Sequence, residues 1–263
     1  MGFWFWGRVR VATVGFYGDR HLNGQTALSP ADWWSRQGKG RSCAPGGSVL
    51  TVGADPVVVE RMLAGGLLAC PDCGGVLSGW GYTRLRSLRR VSGVEERLRL
   101  RRAMCLLRSV NGCGRSHVLL PALLLERRLD EVEVIWSAVR ARADGLGWRR
   151  LVAMVGRPAS TVRGWVARAV ARAQPIRDRF TEVEHLLART AGEDMDRVAP
   201  TGDALRDAVA QIGVVVAVLR RSRGAAVRAV SPARVVAVLS GGLLLSTRIL
   251  KPFTVVINTS AHL

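Results

Sequence analysis

The spacing of apolar and polar residues divides the chain into stretches of different character. Residues 1–50 mix tryptophans and glycines without a regular period, so the sequence predicts an irregular or disordered leader over residues 1–55. Two stretches further on, "YTRLRS" and "RLRLR", alternate basic side chains with apolar or small ones on either side of the turn-like "SGVE". A period of two on both sides of a glycine-containing turn is typical of a β-hairpin.

Beyond Pro121 the apolar period becomes helical. The apolar positions of the next stretch recur at i, i+3, i+4 and i+7, namely at Val132, Ile135, Trp136 and Val139. They predict a helix that Asp130 would cap, with Glu133 three residues later as in a capping box. Gly145 would end this helix, because glycine accepts the backbone conformation that follows a last helical turn.

Two more helices are predicted from "GWRRLVAMVGRPASTVRGWVARAVARA". The first would end at Gly156, and the second would start at Ser160 after a turn of about four residues. The apolar side of the second helix consists of Val162, Trp165, Val166 and Ala169. From residue 176 onward, apolar stripes and the Ser231–Pro232 pair, an N-cap followed by proline, predict further helices.

Charge narrows the range of partners. The chain has 39 Lys and Arg against 20 Asp and Glu, a net charge of +19, which favours nucleic acid or an anionic membrane surface. The apolar run at 208–219 is only 12 residues long, whereas a membrane span needs about 20. The first residues also lack the charged region of a signal peptide. We therefore expect no membrane partner and a cytoplasmic, nucleoid-associated location.

The cysteines indicate a metal site. Cys70 and Cys73 form a tight C-x-x-C followed by two glycines, and in a reducing cytosol such cysteines favour metal binding over disulfides. A tetrahedral zinc ion needs two further ligands from a second turn. The 31 residues between Cys73 and Cys105 are enough for a two-stranded ribbon to leave and return. Cys43 stands alone and is predicted to be incidental.

The second half of the site is less regular, because seven residues separate Cys105 from Cys113 and His117 follows closely. Three ligand sets are open. The favoured set is Cys70, Cys73, Cys105 and Cys113; in the alternatives His117 replaces Cys105 or Cys113. We expect a structural Zn²⁺, since the chain has no H-E-x-x-H motif and no H-x-E with P-C-x-x-C.

The predicted helix pair has the pattern of a DNA-binding helix-turn-helix. A short turn leaves the N-terminal residues of the second helix free to meet base edges in the major groove. Thr161 and Arg163 are the expected base readers, because arginine can contact guanine with two hydrogen bonds. The full set of expected DNA contacts is Arg149, Arg150, Arg157, Ser160, Thr161, Arg163 and Arg168. The alternative is an ordinary helical hairpin with solvated arginines.

Three segments, "LLACPDCGGVLSGWGYTRLR", "CGRSHVLLPALLLERR" and "RPASTVRGW", resemble an uncharacterised family of high-GC bacterial proteins. Its members join an N-terminal zinc ribbon to a transposase-like, homeodomain-type helix-turn-helix. The resemblance covers roughly residues 60–175 and implies DNA binding, with a connection to mobile elements. The family's second knuckle reads C-x-x-C-G-x-T-H, which aligns with Cys113, Gly114 and His117, whereas the seven-residue gap departs from it.

Together these patterns predict a mainly α fold with a small β zinc ribbon, in which a three-helix helix-turn-helix unit precedes a C-terminal helical region. The expected divisions are a leader (1–55), a zinc-ribbon-like domain (56–121), a DNA-binding domain (122–175) and a helical region (176–263). The leading function is non-enzymatic, sequence-specific binding of double-stranded DNA, as a transcriptional regulator or mobile-element factor.

Two other functions are open. One is a DNA end-binding component of a transposase or recombinase, acting with a separate catalytic or regulatory partner. The other is RNA binding through the ribbon, with Trp80 and Tyr82 as stacking residues. In the leading, DNA-binding function, the C-terminal helices would pack as a bundle or form a homodimer.

Overall fold

The computed structural model describes residues 48–106, 112–191, 198–222 and 230–246. The strands in these ranges are β1 (Ser48–Val52), β2 (Leu77–Tyr82), β3 (Arg86–Arg89), β4 (Glu95–Leu98), β5 (Arg101–Cys105) and β6 (Ser116–Pro121). The helices are α1 (Pro56–Ala64), α2 (Val132–Ala143), α3 (Trp148–Val155), α4 (Ala159–Ala171), α5 (Ala173–Ala191), α6 (Ala204–Ser222) and α7 (Pro232–Leu239). The described chain is therefore a mixed α and β structure with the larger share in helices.

The predicted hairpin is present as one long, interrupted ribbon. Its base is the antiparallel pair of β2 and β5, which starts at Leu77 opposite Cys105. Its outer part is the antiparallel pair of β3 and β4, which ends at Arg89 opposite Glu95. The register of the base shifts between Gly79 and Gly81, so the ribbon carries a bulge there.

The base of the ribbon belongs to a larger sheet than the sequence predicted. The strand order is β1-β6-β5-β2, with β6 antiparallel to β5 and parallel to β1. Strand β1 covers Ser48–Val52, inside the stretch predicted to be irregular up to residue 55, so that prediction is wrong for these residues. Residues 1–47, which include Cys43 and most of the predicted leader, lie outside the described residues.

The helices after Pro121 follow the predicted apolar stripes, with corrected ends. Helix α2 starts after Glu131 and has no side-chain cap; Asp130 instead binds two arginines, so the predicted capping box is wrong. Gly145 and Gly156 have φ of +91° and +63°. This left-handed backbone conformation suits glycine and agrees with the predicted helix ends.

One continuous core joins α2 to α7. Its apolar side chains include Trp165 from α4, Phe180 from α5 and Ile212 from α6. The division predicted at residues 175 and 176 therefore does not correspond to a break in packing. All described residues also belong to one compact unit, Gly46–Leu263.

The sheet is covered by two smaller apolar clusters and joined to the helices by backbone contacts. The Glu126 amide donates to the Gly242 carbonyl over 2.8 Å. A Cβ built at Gly242 would lie 2.5 Å from a methyl group of Leu120, and φ at Gly242 is +73°; the close approach and the left-handed backbone conformation both favour glycine. None of the helices in the described ranges has the length and apolar content that a bilayer crossing requires.

Candidate metal centre and candidate nucleic-acid surface

The first cysteine pair lies on a tight turn between α1 and β2. The Cys70 amide donates to the Gly75 carbonyl over 2.7 Å, and the Gly74 amide donates back to the Cys70 carbonyl over 2.8 Å. Gly74 has φ of +76°, which closes the turn at little steric cost. The Gly75 amide then donates to the Cys73 sulfur over 3.4 Å. Gly74 thus closes the turn, and Gly75 supplies a backbone amide to one of the two sulfurs.

The second cysteine pair closes the other side of the same site. Cys105 is the last residue of β5, and Cys113 lies shortly before β6. The Cys113 amide donates to the Cys105 sulfur over 3.3 Å. The Cys105 amide donates to the Arg115 carbonyl over 2.9 Å. The ends of β5 and β6 therefore hold both thiols in place despite the long gap between them.

The four sulfur atoms form a compact cluster. The Sγ atoms of Cys70 and Cys113 are 3.6 Å apart, those of Cys73 and Cys105 are 3.5 Å apart, and all four lie within 4.8 Å of one another. With zinc–sulfur bonds of about 2.3 Å, the edge of a tetrahedral site is about 3.8 Å. The four cysteines lie close enough to hold a metal ion.

His117 lies beside this cluster. Its side chain is fully buried; Nε2 is 3.2 Å from the Cys70 sulfur, and Nδ1 is 2.5 Å from the hydroxyl oxygen of Ser48. A ring with its proton on Nε2 would donate to the sulfur while accepting from the serine. Cys70, Asp72 and His117 also form a group of closely spaced donor atoms, so the structure brings both sequence-predicted histidine and cysteine ligands to one place.

The protonation of the cysteines follows their surroundings. Burial raises the pKa of the Cys70 thiol and of the Cys105 thiol. Burial acts in the same direction on Cys73, but hydrogen bonds from the Gly75 amide and from neighbouring cysteines outweigh it and lower that pKa. Buried thiolates in such close contact repel one another, so a bound cation would stabilise the fully deprotonated cluster.

Most predicted DNA contacts are exposed on α3 and α4. Arg149 and Arg150 are exposed in the first turn of α3, and Ser160 and Arg163 are exposed in the first turns of α4. Thr161 is half-buried.

Further along α4, Arg168 is exposed. Its Nη1 donates to the Gly164 carbonyl over 2.8 Å. The opposite side of α4, with Val162 and Trp165, is buried. Helix α4 thus separates an apolar side from a polar, basic one.

The sequence did not identify Trp148 as part of this surface. Its ring lies under two guanidinium groups, with the Cζ of Arg142 at 5.2 Å and that of Arg163 at 5.9 Å from the ring centroid. Such cation–π contacts restrict where a guanidinium can point. These three side chains line an open groove of about 570 Å³ with Val166 and Val170. The available signal was an aromatic residue at the first position of a basic helix.

The structure corrects the prediction for Arg157. The sequence predicted a DNA contact for Arg157, but its side chain is only 9% exposed. Its Nε donates to the Asp130 carboxylate over 2.7 Å, and its Nη2 donates to the Arg90 carbonyl over 2.7 Å. Both contacts cross from the turn before α4 to other elements, so Arg157 supports the fold and is not presented to solvent.

The ribbon segment, residues 84–108, contains nine arginines and two glutamates, but some of these arginines are engaged in contacts within the protein. Arg86 donates to the Arg128 carbonyl, and Arg101 pairs with Glu60 over 2.7 Å. The exposed arginines of the described ribbon are Arg84, Arg97 and Arg99. Arg108 lies outside the described residues.

Cleavage of DNA by this chain would require carboxylates between residues 178 and 196 to cluster around metal ions, but the described ones have separate partners. Asp178 accepts from Gln174 over 2.7 Å, Glu182 pairs with Arg179 over 2.9 Å, and Glu184 accepts from Gln211. The other carboxylates of this set, Glu193, Asp194 and Asp196, lie outside the described residues.

No protein-family model, curated protein or solved structure matches the chain. The resemblance to zinc-ribbon and helix-turn-helix proteins therefore stays a prediction from the sequence.

Proposed function

We propose that this protein binds double-stranded DNA at specific sequences through α3 and α4, and that the four-cysteine cluster holds a structural zinc ion. The observation that carries the proposal is the division of α4 into two sides. Val162 and Trp165 are buried, while Ser160 and Arg163 are exposed near the N-terminus of the helix. The apolar side of such a helix can pack against the rest of the protein, which leaves the polar side free to contact DNA bases.

In this proposal the first turns of α4 enter the major groove. Arg163 would bind a guanine through two hydrogen bonds, and Thr161 would contact the neighbouring base. Trp148 would keep the Arg163 guanidinium oriented, which lowers the entropy lost on binding. Arg149, Arg150 and Arg168 would bind phosphates and set the position of the helix on the duplex.

The zinc part of the proposal rests on the donor set. Four thiols at tetrahedral spacing match a structural site with no open coordination position. His117 would donate its ring N–H to the Cys70 thiolate, as residues behind metal ligands often do. Zinc would tie the knuckle before β2 to the one after β5 and so stabilise the ribbon.

Selection of bound duplexes from a random pool tests the DNA proposal. We expect enrichment of one sequence containing guanine, and a palindrome would indicate a dimer. Arg163→Ala should cost about 1–3 kcal/mol and relax the preference at one base pair. Arg149→Ala should weaken binding to all sequences alike. Absence of any preference at physiological salt would reject the proposal, since charge alone then explains the binding.

Metal content tests the zinc proposal. The purified protein should contain one zinc ion per chain, and Cys105→Ser should lose it. His117→Ala should keep the ion but bind it about 10–100-fold more weakly. The opposite pattern, with zinc lost from His117→Ala and kept by Cys105→Ser, would show that histidine is the fourth ligand.

RNA is the second candidate ligand, because Trp80 and Tyr82 are 38% and 56% exposed on the ribbon, and exposed aromatics stack on unpaired bases. Competition between single-stranded RNA and the selected duplex would decide between the two ligands. A nucleoid location and a role as the end-binding partner of a transposase are further parts of the DNA proposal. Magnesium-dependent nicking that is lost in Asp194→Ala would instead indicate cleavage by this chain.

A further inference from the structure

The outer hairpin of the ribbon lies directly beside the start of α4. We call β3, β4, the turn between them and the residues that flank them (residues 84–99) the ribbon hairpin. Its turn is closed by the Arg90 amide, which donates to the Val94 carbonyl over 2.9 Å. The Arg90 carbonyl accepts from Arg157 over 2.7 Å, and Arg157 precedes Ser160 by only three residues. A single arginine side chain therefore spans the distance from the ribbon hairpin to the segment that leads into α4.

Charged groups lock this arrangement. Asp130, whose side chain is 3% exposed, pairs with Arg89 of β3 over 2.9 Å and with Arg157 over 2.7 Å. The Glu131 carboxylate accepts from the Arg90 guanidinium and from the Val91 amide, both over 2.7 Å. These two consecutive carboxylates, just before α2, therefore hold both the ribbon hairpin and the turn before α4. Buried ion pairs with several hydrogen bonds favour one arrangement of the parts they join.

The alternation along β4 gives the hairpin one apolar and one basic side. Leu88 and Leu100 are buried and Leu98 packs against them, whereas the alternating Arg97 and Arg99 are exposed. Of the two acidic residues nearby, Glu96 is paired with Arg90 over 2.6 Å. Glu95 is exposed and stands opposite Arg89.

The hairpin segment as a whole is strongly basic. Residues 84–99 contain six arginines and two glutamates. The contacts to Asp130 and Glu131 use the arginines nearest the turn. The excess positive charge on the solvent side is therefore carried by Arg97 and Arg99, together with Arg84.

We infer that the ribbon hairpin is a second DNA-binding element, whose Arg97 and Arg99 bind the phosphate backbone that flanks the groove entered by α4. This inference rests on the proposed DNA-binding function and extends it to a second surface. The major groove is about 12 Å wide and bordered by phosphates on both sides. An element locked beside the N-terminus of a helix in that groove faces one of those borders, and its exposed guanidinium groups match the charge there.

The salt dependence of binding to the selected duplex tests the inference. Each phosphate contact adds about 0.9 to the slope of log K against log salt concentration. The double variant Arg97→Ala/Arg99→Ala should therefore lower that slope by about 2 and weaken binding about tenfold or more at 0.15 M salt, with the base preference unchanged. Ethylation of phosphates on one flank of the site should interfere with the wild type and not with the double variant.

The matched control is Arg61→Ala/Arg140→Ala, which removes the same charge from exposed arginines on α1 and α2. It should keep the slope and the ethylation pattern of the wild type. Equal losses in the two double variants would overturn the inference, because only total charge would then matter. An unchanged slope in Arg97→Ala/Arg99→Ala, while Arg163→Ala loses its preference, would overturn the inference and leave the proposed function standing. No sequence preference in the wild type would reject both.

Discussion

The sheet region and the helical region of this protein are stabilised in different ways. Among the described residues, 33 buried apolar side chains form one cluster across α2 to α7. The sheet is covered by clusters of nine and four, and the larger of these includes Cys70 and Cys105. Small apolar clusters supply little free energy of folding. We therefore expect the sheet region to depend on the proposed metal site and on its ion pairs, and the helical region to depend on apolar packing.

The two regions also differ in how they position the candidate DNA surface. The helical core contains no predicted DNA contact, yet it supports α4 from behind. The ribbon hairpin is held at that helix by Asp130 and Glu131, not by an extended apolar interface. If the two regions differ as described, single substitutions should affect one of them and spare the other.

The largest effect is expected from Cys70→Ser. If the cluster holds the proposed zinc ion, Cys70→Ser should lose the ion and unfold the ribbon, because free energies of zinc binding in small structural sites are about 10 kcal/mol or more. Hydrogen exchange should show lost protection in β2 and β5 and retained protection in α5 and α6. Cys43→Ser, predicted from the sequence to be incidental, is the matched control. Retained protection of β5 in the metal-free variant would contradict a metal-dependent sheet.

Phe180→Ala should destabilise the helical region. Phe180 is fully buried in α5, and truncation of a buried phenylalanine costs about 3–5 kcal/mol. Chemical denaturation should show this loss for the helical region, while zinc content stays at the wild-type value. Val170→Ala, at an exposed position of α4, should change stability by less than about 0.5 kcal/mol. Release of zinc at denaturant concentrations below the main transition would show that the regions are more strongly coupled.

Asp130→Asn tests the connection between the two regions. The change leaves the Arg157 guanidinium buried without its carboxylate, and breaking a buried pair in this way costs about 3 kcal/mol. Asp144→Asn removes an exposed carboxylate whose oxygen is 3.9 Å from Arg140, so it should cost less than about 0.5 kcal/mol. A thermal melt of both variants would measure the difference. Equal stability would mean that the network contributes nothing to docking the hairpin.

The smallest expected effect is on how the stability of the protein depends on pH. Hydrogen bonds from the Thr201 hydroxyl and amide hold the pKa of Asp207 below its ordinary value near 3.8. A depressed pKa contributes stability above the unfolded value, which is lost as pH falls through the folded one. Asp207→Asn should therefore be less stable than the wild type at pH 7, with the difference disappearing on acidification below about pH 4.

Acid unfolding followed by circular dichroism would measure this change, with the exposed Asp178→Asn as control. A constant difference across the whole pH range would contradict the role of the Asp207 charge.

Local patterns in the sequence were sufficient to predict much of the helical region. The stripe from Val132 to Val139 and the glycines at 145 and 156 predict α2 and α3 because helix periodicity and helix ends depend on neighbouring residues. The same holds for the C-x-x-C turn and for the alternation of the ribbon. Strand β1 and its parallel pairing with β6 were not predicted, because Ser48 lies opposite His117, which is far along the chain, and such pairing leaves no local period.

The roles of individual charged residues needed the tertiary structure. Asp130 has the spacing of a helix cap and Arg157 that of a phosphate contact, yet they bind each other. The sequence gives no sign of this, since an ion pair depends on which elements meet in space. Trp148 likewise became part of the candidate DNA surface only when α2 and α4 brought arginines over its ring.

By itself the sequence determined the helix positions, the basic character of the chain and the cysteines that form the candidate metal centre, because each follows from residue type and short-range spacing. Only the tertiary structure decided which arginines remain exposed and that the ribbon hairpin stands beside the start of α4. Those outcomes depend on long-range contacts through Asp130 and Glu131, whose free energy exists only when the sheet and the helices are packed together.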